Sequence, residues 1–219
     1  MAIVLVNSTS ANSAGSATSL ATFALAITAG NLIVIVTSIG AATDAVSTIT
    51  DETGNVYKKA VSVTGTLTNT LELWYGIAVD GGSLTFNVTW GGAGVNRRVL
   101  VLQYKNVADV LDGTNSNSVL AGATSLTTNS VSTTNANDLL VAAFALTVAQ
   151  ALTVTNSFTG EVSTPATPDT SAQDRIVSAT GSFAGTATAT ATGYAGVIAA
   201  FKSVDVAITK ANKWVLTVN

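Results

Sequence analysis

The sequence has no cysteine and no histidine. Without cysteine there can be no disulfide, no thiolate nucleophile and no Cys-ligated metal. Without histidine the commonest general base and metal ligand is missing, and Ser–His–Asp catalysis, Cys–His catalysis and the usual zinc sites go with it. Charge is scarce as well. Only 10% of the 219 residues are charged, where a soluble domain carries roughly 25%. Nine Lys+Arg against 12 Asp+Glu leave a net charge of −3, too weak to steer a charged partner. The basic residues fall in small groups (Lys58 with Lys59, Arg97 with Arg98, Lys210 with Lys213) and form no stripe, so no nucleic-acid partner is expected. Mean hydropathy is high at +0.48, yet no apolar run reaches the roughly 18 residues of a helical membrane span. The longest runs, 32–36 and 139–145, have strand length. The first six residues lack a basic stretch and are too short for a signal peptide.

Threonine, valine and glycine are plentiful, and the apolar spacing has the period of strands. In residues 83–90, Leu84, Phe86, Val88 and Trp90 share one face, while Thr85, Asn87 and Thr89 share the other. Leu71, Leu73 and Tyr75 alternate with Glu72 and Trp74, which puts Trp74 opposite the leucines. Residues 32–36 are apolar on both faces, as in a central strand covered on both sides. Strands are expected over 3–7, 18–27, 32–38, 46–50, 56–63, 71–78, 83–90 and 97–104. A second series follows over 124–130, 139–146, 152–155, 174–180, 186–192, 196–202 and 214–218. Both prolines, Pro165 and Pro168, fall in the polar stretch 161–173, which reads as a long exposed loop. Residues 108–123 read as a short polar connection.

The two series echo each other. Residues 29–34 (AGNLIV) resemble 136–141 (ANDLLV), Thr53-Gly54 matches Thr159-Gly160, residues 82–86 resemble 181–185, and Lys105-Asn-Val107 matches Lys202-Ser-Val204. An all-β fold is expected, a jelly-roll-like antiparallel β-sandwich built from an internal duplication. One domain would span 1–204, with pseudo-repeats at about 18–107 and 125–204, and a C-terminal strand or arm would span 205–219.

The chemistry left open is that of carboxylates. Glycosidase action needs two of them about 5–9.5 Å apart in a cleft. Asp51-Glu52 is the only adjacent acidic pair, and in extended chain its side chains point apart. No catalytic residue, cofactor or metal site is therefore expected. Residues 51–55 (DETGN) read as a hairpin turn, with Asp51 and Asn55 offering oxygens to calcium as the weaker alternative. The aromatic residues read either as packing and interface groups or as a sugar-stacking platform. Trp74, Trp90, Trp214 and Leu216 are the candidate interface residues. Trp214 and Leu216 would share one face of a C-terminal arm that docks on a neighbouring subunit.

The order of motifs over residues 15–107 carries a resemblance. A segment TSLATF (18–23) leads into AGNLIV (29–34), then VSTITDETGNVY (46–57), LWY (73–75) and RRVLVLQY (97–104). This resembles Thr/Ala/Gly-rich β-sandwich proteins of phage virions, decoration or fibre-associated, and of bacterial surfaces. The resemblance implies a virion accessory subunit that contacts capsid or tail proteins, and the scarcity of charge together with the C-terminal arm implies a homo-oligomer. The alternative it implies is a carbohydrate-binding or cell-surface recognition module, extracellular and bound to surface glycans.

Overall fold

A computed structural model describes residues 1–204 apart from 16, 41–43, 65–68, 93 and 165–168. Ten strands come from the first half of the chain: β1 (Val4–Ser13), β2 (Ser19–Ala21), β3 (Leu25–Ile27), β4 (Leu32–Gly40), β5 (Val46–Thr50), β6 (Lys58–Val63), β7 (Thr70–Ile77), β8 (Gly82–Leu84), β9 (Asn87–Trp90) and β10 (Val95–Lys105). Eight come from the second: β11 (Val107–Thr127), β12 (Val131–Thr133), β13 (Leu139–Leu146), β14 (Thr153–Val154), β15 (Thr159–Thr164), β16 (Thr170–Ile176), β17 (Gly181–Phe183) and β18 (Thr186–Ser203). Every pairing among them is antiparallel, and each lies within one half.

The main sheet of the first lobe has the order β1-β10-β4-β7-β6, and that of the second β11-β18-β13-β16-β15, with β14 also on β18. Position by position this is one order used twice. Smaller sheets, β2-β9-β5 and β3-β8 in the first lobe and β12-β17 in the second, complete the lobes. The correspondence extends to single hydrogen bonds. Thr22 N–H donates to Phe86 O while Phe86 N–H donates to the Thr22 hydroxyl; Thr128 and Gly185 repeat this exchange. Gly30 N–H donates to Ala78 O and Asn137 N–H to Val177 O, from turn residues with φ of 85° and 64°. That left-handed conformation is free for glycine and tolerable for asparagine. The sandwich expectation and the duplication are both present in this architecture. One proposed match is not. The registers place Thr159 on Lys58, since they pair with Asp174 and Tyr75 respectively, so Thr53-Gly54 is not its counterpart.

Alternation dictates where the layers meet. Leu32, Val34 and Val36 of β4 face Leu139, Val141 and Ala143 of β13 in one core that also takes Leu71, Leu73 and Tyr75 with Val197, Ala199 and Phe201. The two main sheets thus pack on each other. The opposite face of β4, Ile33 and Ile35, packs with Phe86, Val88 and Trp90 under the small sheets of the first lobe. Leu140, Ala142 and Phe144 do the same in the second. This is why residues 32–36 and 139–146 are apolar throughout. Across the interface, the rings of Tyr75 and Phe201 meet edge-on with centroids 5.2 Å apart, and the hydroxyls of Ser38 and Thr170 bond at 2.6 Å.

Several expected boundaries are corrected. Residues 108–123 are not a connection but most of the 21-residue edge strand β11, whose Ser, Thr and Asn side chains suit a half-wet edge. Within the expected loop 161–173, residues 161–164 and 170–173 are instead parts of the paired strands β15 and β16, and Thr170, Ala172 and Gln173 are buried because both faces of that sheet are covered. The expected strands over 18–27 and 83–90 are each broken in two, and those over 186–192 and 196–202 are one strand. The strand expected over 214–218, with Trp214 and Leu216, lies outside the described residues.

Because the lobes share a core, removing its aromatic centre should weaken both. Phe201→Ala is expected to cost about 3–5 kcal/mol in urea unfolding. The loss should appear in a single transition whether the first-lobe tryptophans or the second-lobe Tyr194 signal is followed.

Candidate functional site

The residues singled out from the sequence are dispersed. Trp90 is buried in the outer core of the first lobe, with the Arg97 guanidinium 5.3 Å from its ring centroid. Arg97 is itself buried and donates to the carbonyls of Gly15 and Gly92; Arg98 donates to those of Ser13 and Arg97. Trp74 does lie opposite the leucines, half-buried on the outer face of β7. There its indole N–H donates to Glu72 at 2.9 Å, and the Lys59 ammonium, 2.6 Å from Glu72, sits 4.9 Å from the ring centroid. Trp214 and Leu216 lie outside the described residues.

The turn at 51–55 is fully explained by its own hydrogen bonds. Asp51 Oδ1 accepts from the N–H groups of Thr53, Gly54 and Asn55 and from the Thr53 hydroxyl; Oδ2 accepts from Asn55 Nδ2 at 2.9 Å and the Tyr57 hydroxyl at 2.5 Å. Burial alone would raise the Asp51 pKa, but the bonds from Tyr57, Asn55 and Thr53 outweigh it and hold the carboxyl below its ordinary value. The lone pairs a cation would need already face donors. Asn55 likewise uses its Oδ1 to accept from Val79 and Asp80 N–H.

Two carboxylate pairs have no counterpart in the sequence-based expectations. The first is at the lobe interface. Glu161, the extra residue of the β15 bulge, and Asp174 on β16 interact near Tyr104 of the other lobe, whose buried hydroxyl makes no well-formed hydrogen bond. Burial, then the Asp174 charge, pushes Glu161 up to about 7. Burial also raises Asp174, opposed by the nearby Tyr104 hydroxyl and Glu161. Each acid thus favours its protonated form more than a free carboxyl does. In the second, Asp112 accepts from the Lys202 ammonium at 2.6 Å and from the backbone and hydroxyl of Thr134. These bonds hold Asp112 low against the effect of burial. Its neighbour Asp138 is wholly buried and, by burial and the Asp112 charge, is pushed up to about 7. Neither Asp138 oxygen accepts a well-formed hydrogen bond, consistent with a protonated acid whose acceptor is Asp112. Glu72 and Asp174 sit on different faces and do not meet.

The one concave site that stands out is a cleft of about 520 Å³ on the second lobe. Its walls are the segment 149–152 with β14, the edge strand β15 and the start of β16. Gly160, Ser163 and Ser171 line it with the apolar Leu152 and Val154 and the carboxyl groups of Asp169 and Glu161. Asp169 is 3% exposed, and its Oδ1 is buried without a hydrogen-bond donor. Burial raises its pKa, opposed by the Gln150 backbone N–H and by Arg98. Among the described residues no three Asp or Glu side chains converge as metal ligands would, and no helix is long and apolar enough to cross a membrane.

The raised acids set the sign of a pH effect. Glu161 and Asp138 bind protons in the folded state up to about pH 7, and in the unfolded chain only near 4.5 and 3.8. The stability each contributes is fully present below those unfolded values and is lost as pH rises through the folded ones. The depressed groups Asp51 and Asp112 act only below the ordinary carboxylate range. Thermal unfolding should therefore occur at a higher temperature near pH 5 than near pH 8. Glu161→Gln with Asp138→Asn should flatten that dependence, read by calorimetry across the range. Calcium at millimolar concentration should leave the wild-type midpoint unmoved.

Comparison with known proteins gives no match: no family model, no curated protein and no solved structure is similar to this chain.

Proposed function

We propose that the chain is a non-enzymatic structural subunit, a capsid-decoration or fibre-associated protein of a virion, that works through protein–protein contacts and forms homo-oligomers. The observation that carries this reading is the state of two sheet edges. β1 and β11 end their sheets, ten and 21 residues long, with no strand paired on the outer side among the described residues. Edge strands are ordinarily guarded by charge, since their free N–H and C=O groups template further pairing. β6, the opposite edge of the first lobe, carries Lys58 and Lys59 in that manner. β1 carries no charged residue at all, the first in the chain being Asp44, and β11 carries none after Asp112.

Exposed apolar side chains add to this, with Val4 and Val6 on β1, Leu120 at 68% on β11 and Phe23 at 76% between β2 and β3. A chain this poor in charge keeps such edges from water most readily by placing them against protein. The resemblance to Thr/Ala/Gly-rich virion proteins supplies the setting. No aromatic residue lines the cleft, and Trp90 is buried, so the described side chains favour contact over glycan stacking.

Two measurements test the reading. Light scattering at micromolar concentration should give a multiple of the 21.9 kDa chain mass. Val6→Lys with Leu120→Lys should drop it to the monomer if the edges are the contact. A wild-type monomer would refute the homo-oligomer. Quantitative mass spectrometry of purified particles from a phage encoding the chain should find it enriched over lysate, and its absence from washed particles would refute the virion assignment.

A further inference from the structure

The two lobes share a backbone but not its contents. Pairing registers place Lys59 on Gly160, opposite Trp74 and Gln173, and Ser62 on Ser163, opposite Glu72 and Ser171. A bulge follows at the same step in each, between Lys59 and Val61 and between Gly160 and Val162. In the first lobe these positions hold a closed unit: an ammonium from Lys59, a carboxylate from Glu72 and an indole from Trp74. In the second the lysine is glycine, the glutamate is serine and the tryptophan is Gln173, whose amide turns away to donate to Thr186 O at 3.3 Å. The cleft of about 520 Å³ lies over these smaller residues, and its size falls in the ~300–1,000 Å³ range of small-molecule sites.

The cleft also holds an acid with one oxygen left over: Asp169 faces the Arg98 guanidinium and the Gln150 N–H, yet its Oδ1 stays unpaired. Asp169 replaces Glu72 as the carboxylate, two residues upstream of the equivalent Ser171, and offers a buried Oδ1 that no donor reaches. No lysine or arginine lines the cleft. A buried acceptor in that state is costly until something donates to it.

From this we infer that the cleft binds a small organic cation, a primary ammonium carried on a flat apolar group, which supplies to the second lobe what Lys59 and Trp74 supply to the first. The ammonium donates to Asp169 Oδ1, with the hydroxyls of Ser163 and Ser171 as further acceptors. The flat group packs on Leu152 and Val154. A carboxylate ligand of the same shape is rejected, because Asp169 would face it with like charge.

Tryptamine is the probe, titrated calorimetrically into the full-length protein near neutral pH, with indole-3-propionate as the anion of matching ring. Saturable binding of one tryptamine per chain is expected, with no detectable heat from the anion. Asp169→Asn should weaken tryptamine by about tenfold or more. Ser163→Trp, which fills the cleft from an exposed position on the edge strand, should abolish binding. Absence of saturable binding to the wild type, equal affinity for the anion, or binding that survives Ser163→Trp would each overturn the assignment. If Asp169→Asn fails to fold, the Ser163→Trp and anion comparisons decide it alone.

Discussion

Burial of both faces of β4 and β13 is the constraint from which the other layers follow. A strand reading Leu-Ile-Val-Ile-Val has no side to give to water, so its sheet must be covered twice. The small sheets of each lobe cover one face. The other is covered by the main sheet of the opposite lobe, so neither lobe is complete alone. With roughly 25 cal/mol of stabilisation per Å² of apolar surface removed from water, this shared layer is where a charge-poor chain gains much of its cohesion. Disulfides are not available to supplement it.

Duplication explains the regularity of the architecture, and divergence explains its exceptions. The interface has two equivalent halves, since Tyr75 and Phe201 occupy the positions matched by Asp174 and Tyr104 in the repeat. On one side two rings meet at 5.2 Å. On the other the buried Tyr104 lies near Asp174 without a well-formed hydrogen bond, and the bulge residue Glu161 stands where the first lobe has Ala60. The backbone tolerates both because sheet pairing sets the positions and the side chains only have to satisfy each other. On the second side burial pushes both acids up.

Much of the fold was legible wherever burial was one-sided or complete. β5 and β13 fall at the expected residues, and the Leu32/Leu139 and Lys105/Lys202 echoes mark true equivalents. β11 and the β15–β16 pair escaped because edge strands carry the same Ser, Thr and Asn residues that mark loops. The carboxylate pairs escaped because each joins residues distant in sequence, as Asp112 and Asp138 are. The cleft escaped for a different reason. It is made of small residues, and Gly160 and Ser171 become informative only beside Lys59 and Glu72. A sign was present in the expected repeat, but the Thr53/Thr159 match shifted the alignment at just this place.

One residue joins the lobes. Asn106 lies between the end of β10 and the start of β11, in the left-handed region with φ 65°. Its side-chain amide donates to Ala2 O and its carbonyl accepts from Val204 N–H, so it gathers both ends of the described chain. So short a tether turns the docking of one main sheet on the other into an intramolecular event at high effective concentration. Docking need not be strong enough to hold two free molecules together. An interface relieved of that demand can tolerate polar groups that a dimer of separate lobes would have had to exclude, and Glu161 with Asp174 occupies that latitude.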